Sequence, residues 1–327
     1  MANLVYSPHY NIRAFGLERW HPFDTRKYGR AWQALRARFG RALDDATIRP
    51  PRPISHQQLR SVHSEEYLRR LRSATYLAGA LEVRQLCYVP WRVTDWCVLR
   101  PMRWATMGTV AAAREALSSG LAINLGGGFH HAKPDAGEGF CIYNDIAVAI
   151  QQLRAERVIG INDQIAYIDL DAHQGNGVCH CFQQDRRVAI FDMFNADIYA
   201  ALDRVAQPRI DASVPLSAGC DGDEYLLMLQ RKLPRFLDEC AAERPVRLAV
   251  YNAGTDTLAG DPLGWLSLMR EHILERDVYV IDLLRKRNIP VVMLTSGGYT
   301  KTSFQLIADS IAAILRRHGP DSLRALK

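Results

Sequence analysis

Three polar side chains spaced two residues apart, Asp169, Asp171 and His173, close an apolar run at residues 166–170 and lead into a loop punctuated by Gly175 and Gly177. In an extended chain this spacing puts the three groups on one side. Carboxylates at the end of a buried strand are costly to desolvate, and a bound cation is the simplest compensation, so the run reads as a metal site. Three other loops hold comparable residues. Gly126, Gly127 and Gly128 precede His130 and His131; Asn252 to Asp256 continues to Gly260, Asp261 and Pro262; and Ser296, Gly297 and Gly298 precede Tyr299. Groups to hold a cation, an imidazole to move a proton and a phenol to donate to a developing oxyanion are what a metal-assisted hydrolase uses.

Each of these loops follows a short apolar segment, at 121–125, 166–170, 248–251 and 291–295. The segments do not alternate with polar residues, so they are expected to be buried on both faces of a mainly parallel sheet. Helical patterns follow them, giving strand, loop and helix units over 121–150, 166–182, 248–282 and 291–314, with another strand at 188–191. The fold class is therefore α/β, with a central sheet flanked by helices and the site at the carboxyl ends of the strands. Upstream, the pattern predicts a strand at 4–6, a turn at Ser7 and Pro8, and a loop across 11–24. Helices are predicted at 25–40, at 65–80 capped by Ser64, and at 102–119. Leu226, Leu229, Leu233 and Phe236 predict a core-facing helix over 223–241 despite Pro234, and 300–318 reads as a helix stopped by Gly319 and Pro320. No repeat or linker divides the chain, so residues 1–327 are expected to form one domain.

Composition narrows the partner classes. With 327 residues, 48% of them hydrophobic, the chain can bury a sizeable core. A net charge of +6 would suit an acidic partner, but the densest basic set, Arg26, Lys27, Arg30, Arg36, Arg38 and Arg41, alternates with apolar positions as a solvated helix face does. No nucleic-acid-binding motif accompanies it. The 7 cysteines, an odd and scattered set, fit reduced thiols. Cys179, His180 and Cys181 lack the spacing and the complementary pair of a zinc site, so they read as packing residues. Residues 1–10 lack the basic start and apolar run of a signal peptide, and no apolar run is long enough to span a bilayer. A cytoplasmic protein is expected, with its oligomeric state left open.

The segments GGGFHHA, GFCIYND, YIDLDAHQGNGV, YNAGTDTLAGDPLGWLS and TSGGYTK resemble the zinc-dependent histone deacetylase family. The amino-terminal VYSPHYNIRAFGLERWHPFD and the form DLDAHQGNG resemble its class IV branch. The resemblance spans nearly the whole chain, over about residues 5–314, and implies the arginase/deacetylase fold and hydrolysis of acyl groups from the ε-amine of lysine. It implies Asp171, His173 and Asp261 as ligands of Zn2+, or of Fe2+. His131 would be the base that deprotonates the attacking water and then protonates the departing amine, with Asn176 orienting it. His130 would stand beside it as an electrostatic partner oriented by Asp169, and Tyr299 would donate to the oxyanion. The Gly139 carbonyl would accept the scissile amide N–H, while Phe140 and Tyr199 would wall the acyl-lysine tunnel. A structural K+ is implied as well, held by Asp169 and by the backbone of Asp171 and His173, and completed by Asp192 and Met193.

Two positions depart from the class I pattern of the family: Asn176 replaces an aspartate, and Asp192 replaces a serine. An amide can orient His131 but does less than a carboxylate for its cation. A short loop over 191–199 and the class IV resemblance imply removal of long fatty acyl groups as well as acetyl. Other readings share these residues. A two-metal ureohydrolase would carry a further carboxylate where Gly175 stands. An amidohydrolase of small acetylated amines such as acetylpolyamines would use the same chemistry behind an acidic mouth, for which Asp135, Glu138, Asp197 and Asp203 are candidates. A catalytically dead acyl-lysine binder would be expected to have lost a ligand, the base or the tyrosine, and none is missing.

Overall fold

Eight parallel strands form one sheet in the computed structural model, which describes residues 2–13 and 24–325. In chain order they are β1 (Ala2–Val5), β2 (Thr47–Ile48), β3 (Leu121–Asn124), β4 (Gln164–Asp169), β5 (Val188–Asn195), β6 (Ala212–Leu216), β7 (Val246–Asn252) and β8 (Val291–Leu294). Their order across the sheet is β2-β1-β3-β8-β7-β4-β5-β6. The middle of the predicted 11–24 loop, residues 14–23, lies outside the described residues.

The expected parallel sheet is present, and β3, β4, β5 and β8 are buried along their whole length. Apolar strands without alternation have two covered faces, and helices provide the cover. The helix Arg100–Ser119 packs against β1, β3 and β8, and Gly222–Ala241 packs against β4 and β5. The latter runs through Pro234. The predicted helix at 65–80 is two helices, Glu65–Arg70 and Ala74–Ala80. Ser64 caps the first as expected, and Ser73 caps the second by accepting the Tyr76 N–H, so a second capping serine inside the run divides it. The edge strands β2 and β6 escaped prediction, because β2 has only two residues and β6 contains Pro215.

The chain passes from β3 across to β4, out to β5 and β6, and returns to insert β7 and β8 in the gap. The four loops that carry the chemistry therefore leave four neighbouring strands, β3, β8, β7 and β4. Register brings their ends level: Asn124 pairs with Leu294, Leu294 with Asn252, Asn252 with Asp169, and Asp169 with Asp192 of β5.

Candidate metal and catalytic site

Beyond β4, Asp171 and His173 turn inward and are almost completely buried. Asp171 is oriented through Oδ2, which accepts the Ser296 hydroxyl at 3.0 Å and the Gly297 N–H at 3.0 Å. Its Oδ1 lies 3.1 Å from His173 Nδ1, and Asp256 Oδ2 lies 2.9 Å from the same nitrogen. The ligand atoms of Asp171, His173 and Asp256 all lie within 4.8 Å of one another. Asp261, implied as the third ligand, is outside that group but is buried beside it, on the loop that follows Asp256. Its Oδ1 accepts the N–H groups of Leu263 and Gly264, and its Oδ2 accepts that of Tyr299 at 2.8 Å. Asp261 thus ties its own loop to that of Tyr299, while Asp256 accepts the Ala172 N–H at 2.9 Å through Oδ1.

The group has the chemistry of a cation site. Burial and the neighbouring Asp171 push Asp256 up to about 7, so two crowded carboxylates resist ionising together. Burial disfavours a charged His173, yet its hydrogen bonds to Asp171 and Asp256 raise it to about 10. Two carboxylates and an imidazole are a donor set for zinc or ferrous iron, and a divalent charge would relieve the crowding.

The loop after β3 presents the two histidines with ring centroids 4.1 Å apart. It is held from beneath by the Asn-Asp pair of the GFCIYND segment, which had no assigned role. Asp145 accepts the N–H groups of Phe129 at 2.7 Å and Gly128 at 3.0 Å. Asn144 donates to the Ala132 carbonyl at 2.8 Å and also caps the helix Asp145–Ala155. His130 Nδ1 is 2.8 Å from Asp169 Oδ2, and His131 Nδ1 is 2.8 Å from Asn176 Oδ1. Burial opposes a charged His130, but Asp169 and Asp171 overcome it and raise it to about 9. His131 is held well below its ordinary value by burial and by the neighbouring His130 and His173.

Tyr299 completes the arrangement, its ring centroid 6.0 Å from that of His173 and 5.9 Å from that of Phe140. Burial and the nearby Asp256 and Asp171 keep its phenol protonated. Its loop rests on Lys27, which belongs to the basic set read as a solvated face but is fully buried. Lys27 Nζ donates to the carbonyls of Ser296 at 2.6 Å, Gly297 at 2.7 Å and Gly298 at 3.3 Å.

Gly139 and Phe140 have φ of 54° and 63°. A bulky residue seldom adopts that left-handed region, and here it turns the backbone in beside His131. A Cβ on Gly139 would lie 2.5 Å from His131 Cδ2. Tyr199 meets His131 edge to face at 5.1 Å. These residues border a cavity that continues from His130, His131 and Tyr299 along Leu81, Leu86, Val98 and Met102. Asp192 lies beside Asp169: its Oδ2 accepts the Gly175 N–H at 3.0 Å, while its buried Oδ1 has no protein partner. Gly175 has an ordinary φ of −75°, but a Cβ there would lie 2.4 Å from Asp169 Oδ2. A carboxylate side chain has no room at that position.

The histone deacetylase domain family matches residues 21–315. Histone deacetylase 2 of Arabidopsis thaliana is 41% identical over 319 residues, covering 96% of this chain and 79% of its own length. An uncharacterized protein of Picosynechococcus is 30% identical over 311 residues, covering 93% of this chain and 94% of its own. Among solved structures, the HDA15 HD domain aligns with a TM-score of 0.72 at 17% identity, over 99% of this chain and 93% of that one. An acetylpolyamine aminohydrolase from Burkholderia pseudomallei aligns with a TM-score of 0.72 at 20% identity, over 96% and 98%. The fold is thus shared with the HDA15 HD domain and with an acetylpolyamine aminohydrolase.

Proposed function

Because the chain belongs to the histone deacetylase family, we propose that it is a metal-dependent protein-lysine deacylase of the class IV type, removing acetyl and long fatty acyl groups in the cytoplasm as one catalytic domain over residues 1–327. The observation that carries this reading is the meeting of the Asp171, His173 and Asp256 group with a neutral His131 and a protonated Tyr299. Zinc or ferrous iron held by Asp171, His173 and Asp261, with Asp256 beside them, would polarise the acyl carbonyl and acidify water.

The chain's own residues do the rest. Asn176 Oδ1 can only accept, so His131 carries its proton on Nδ1 and offers Nε2 to the attacking water. His131 then returns the proton to the departing lysine amine. His130, held cationic by Asp169, and the Tyr299 hydroxyl stabilise the developing oxyanion. The Gly139 carbonyl accepts the scissile amide N–H, and Phe140 and Tyr199 hold the lysine stem.

The apolar wall of Leu81, Leu86, Val98 and Met102 supports long acyl chains, which it can take without leaving polar groups unpaired. A polyamine needs an acidic mouth, but two of the four candidate acids, Glu138 and Asp203, are paired with Lys133. That favours acyl-lysine in a protein or peptide. The unpartnered Asp192 Oδ1 beside Asp169 supports a structural K+ that Met193 and the Asp171 and His173 backbone complete.

A panel of one lysine peptide acylated with chains from acetyl to myristoyl, assayed with and without chelator, tests this reading. Chelator-sensitive cleavage that extends to myristoyl is expected. Cleavage of acetyl-lysine alone would remove the long-chain part, and preference for acetylspermidine would remove the protein substrate.

A further inference from the structure

Behind His131 lies a cluster of which the proposed mechanism uses Asn176 and Tyr199 but not Lys133, Glu138 or Asp203. Asn176 presents Oδ1 to His131, and its Nδ2 faces two acids, Glu138 Oε1 at 2.7 Å and Asp203 Oδ2 at 3.3 Å. Lys133 Nζ joins the same two carboxylates, at 2.9 Å from Glu138 and 3.1 Å from Asp203. Asp203 is anchored further by the Val205 and Ala206 N–H groups at 3.0 and 3.1 Å, and by His180 Nε2 at 3.0 Å. Glu138 also bonds Tyr199, whose ring packs on His131.

A carboxylate beside a histidine accepts from it whichever way the group turns. An amide does not, because one end accepts and the other donates. Were Asn176 flipped, its oxygen would face two further acceptors and its NH2 group would face His131. The histidine would then have to accept at Nδ1 and hold its proton on Nε2, which is useless to a base directed at the substrate. The two acids make that orientation unfavourable, and Lys133 keeps them together at this spacing.

We propose that Glu138 and Asp203, bridged by Lys133, are positioning residues that fix the Asn176 amide and through it the Nδ1–H form of His131. The proposal rests on the reading of His131 as the base, and it explains how a chain with asparagine at position 176 selects one tautomer. It also requires that aspartate be a poor replacement here, since a third carboxylate would join two acids already sharing one lysine.

The test combines ring-nitrogen NMR of His131 with a mutant cycle on the metal-loaded, full-length protein. In the unmodified protein the spectrum is expected to give Nδ1–H alone. In Glu138→Gln, and in Glu138→Gln with Asp203→Asn, both tautomers should be populated and kcat should fall about tenfold, the scale of losing a charge-assisted bond. KM and metal content should hold. Asn176→Asp should lower kcat by itself, and adding Glu138→Gln should recover most of the loss.

A single Nδ1–H form in every variant, or losses that multiply independently instead of recovering, would overturn the proposal. Because Asp203 also anchors its own turn, Glu138→Gln is the deciding variant if the double variant fails to fold. The spectrum reads the tautomer without turnover, so an inactive enzyme would sink the deacylase reading and leave the tautomer decided.

Discussion

His130 and His131 share a loop, a depth of burial and a ring contact of 4.1 Å, yet one is held as a cation and the other as a neutral base. The difference lies behind each ring. Asp169 brings a full negative charge to His130, whereas Asn176 brings only the oxygen of an amide to His131. Charging the first then makes charging the second harder. A pair of adjacent, chemically identical side chains becomes a fixed charge and a proton carrier through their partners alone.

The comparison can be broken most severely at the proton carrier. His131→Ala should lower kcat by roughly 10²- to 10⁴-fold, the range for losing a general base, whereas His130→Ala should lose less, since it removes a charge and leaves the base in place; steady-state kinetics on a metal-replete sample separate the two. Tyr299→Phe should cost about 10²- to 10³-fold in turnover, as expected for one oxyanion donor, with metal content unchanged. A fully active variant would remove the phenol from the mechanism.

Asp169→Asn sharpens the contrast. Without the carboxylate, His130 no longer stays cationic, so the charge that depresses His131 disappears and the His131 pKa rises. Because His131 acts when neutral, the acid limb of kcat/KM should move to higher pH. A limb that stays put would uncouple the two rings.

A third histidine gives the smallest effect and shows neutrality used for structure. His63 Nδ1 donates to the Lys133 carbonyl, and its Nε2 accepts the Asn144 N–H, each at 3.0 Å. Burial pushes it down to about 4, below the value near 6.5 of an unfolded chain. The unfolded state therefore takes up the extra proton between these values. Stability is fully present above about pH 6.5 and falls by up to about 3 kcal/mol as pH drops towards 4. Urea denaturation across that window should lose this slope in His63→Gln.

Much of this arrangement could be read from the residues. The buried strands announced themselves by unbroken apolar runs, and the His130, His131 and Tyr299 loops by glycine followed by chemistry. Asp256, which the structure brings close to Asp171 and His173, had no role in the sequence because its nearness to them comes from the pairing of β7 with β4. Lys27 was misread because periodicity tells which face a residue lies on, and a long side chain at the rim of that face can still reach three buried carbonyls. The Glu138 and Asp203 cluster joins residues from separate loops, so no spacing could have disclosed it.

The grip of Lys27 on the Tyr299 loop has a consequence for assembly. The lysine sits in the first long helix, and the carbonyls it gathers arrive only with the last strand of the sheet. Two segments far apart in the sequence are thus stitched together directly beneath the phenol. During synthesis the reaction centre stays unfinished until the carboxyl-terminal part returns to meet a segment made long before. A proteolytic cut or deletion within the opening helix would consequently be felt first at Tyr299, as a lost donor, before it was felt by the four loops' ligands.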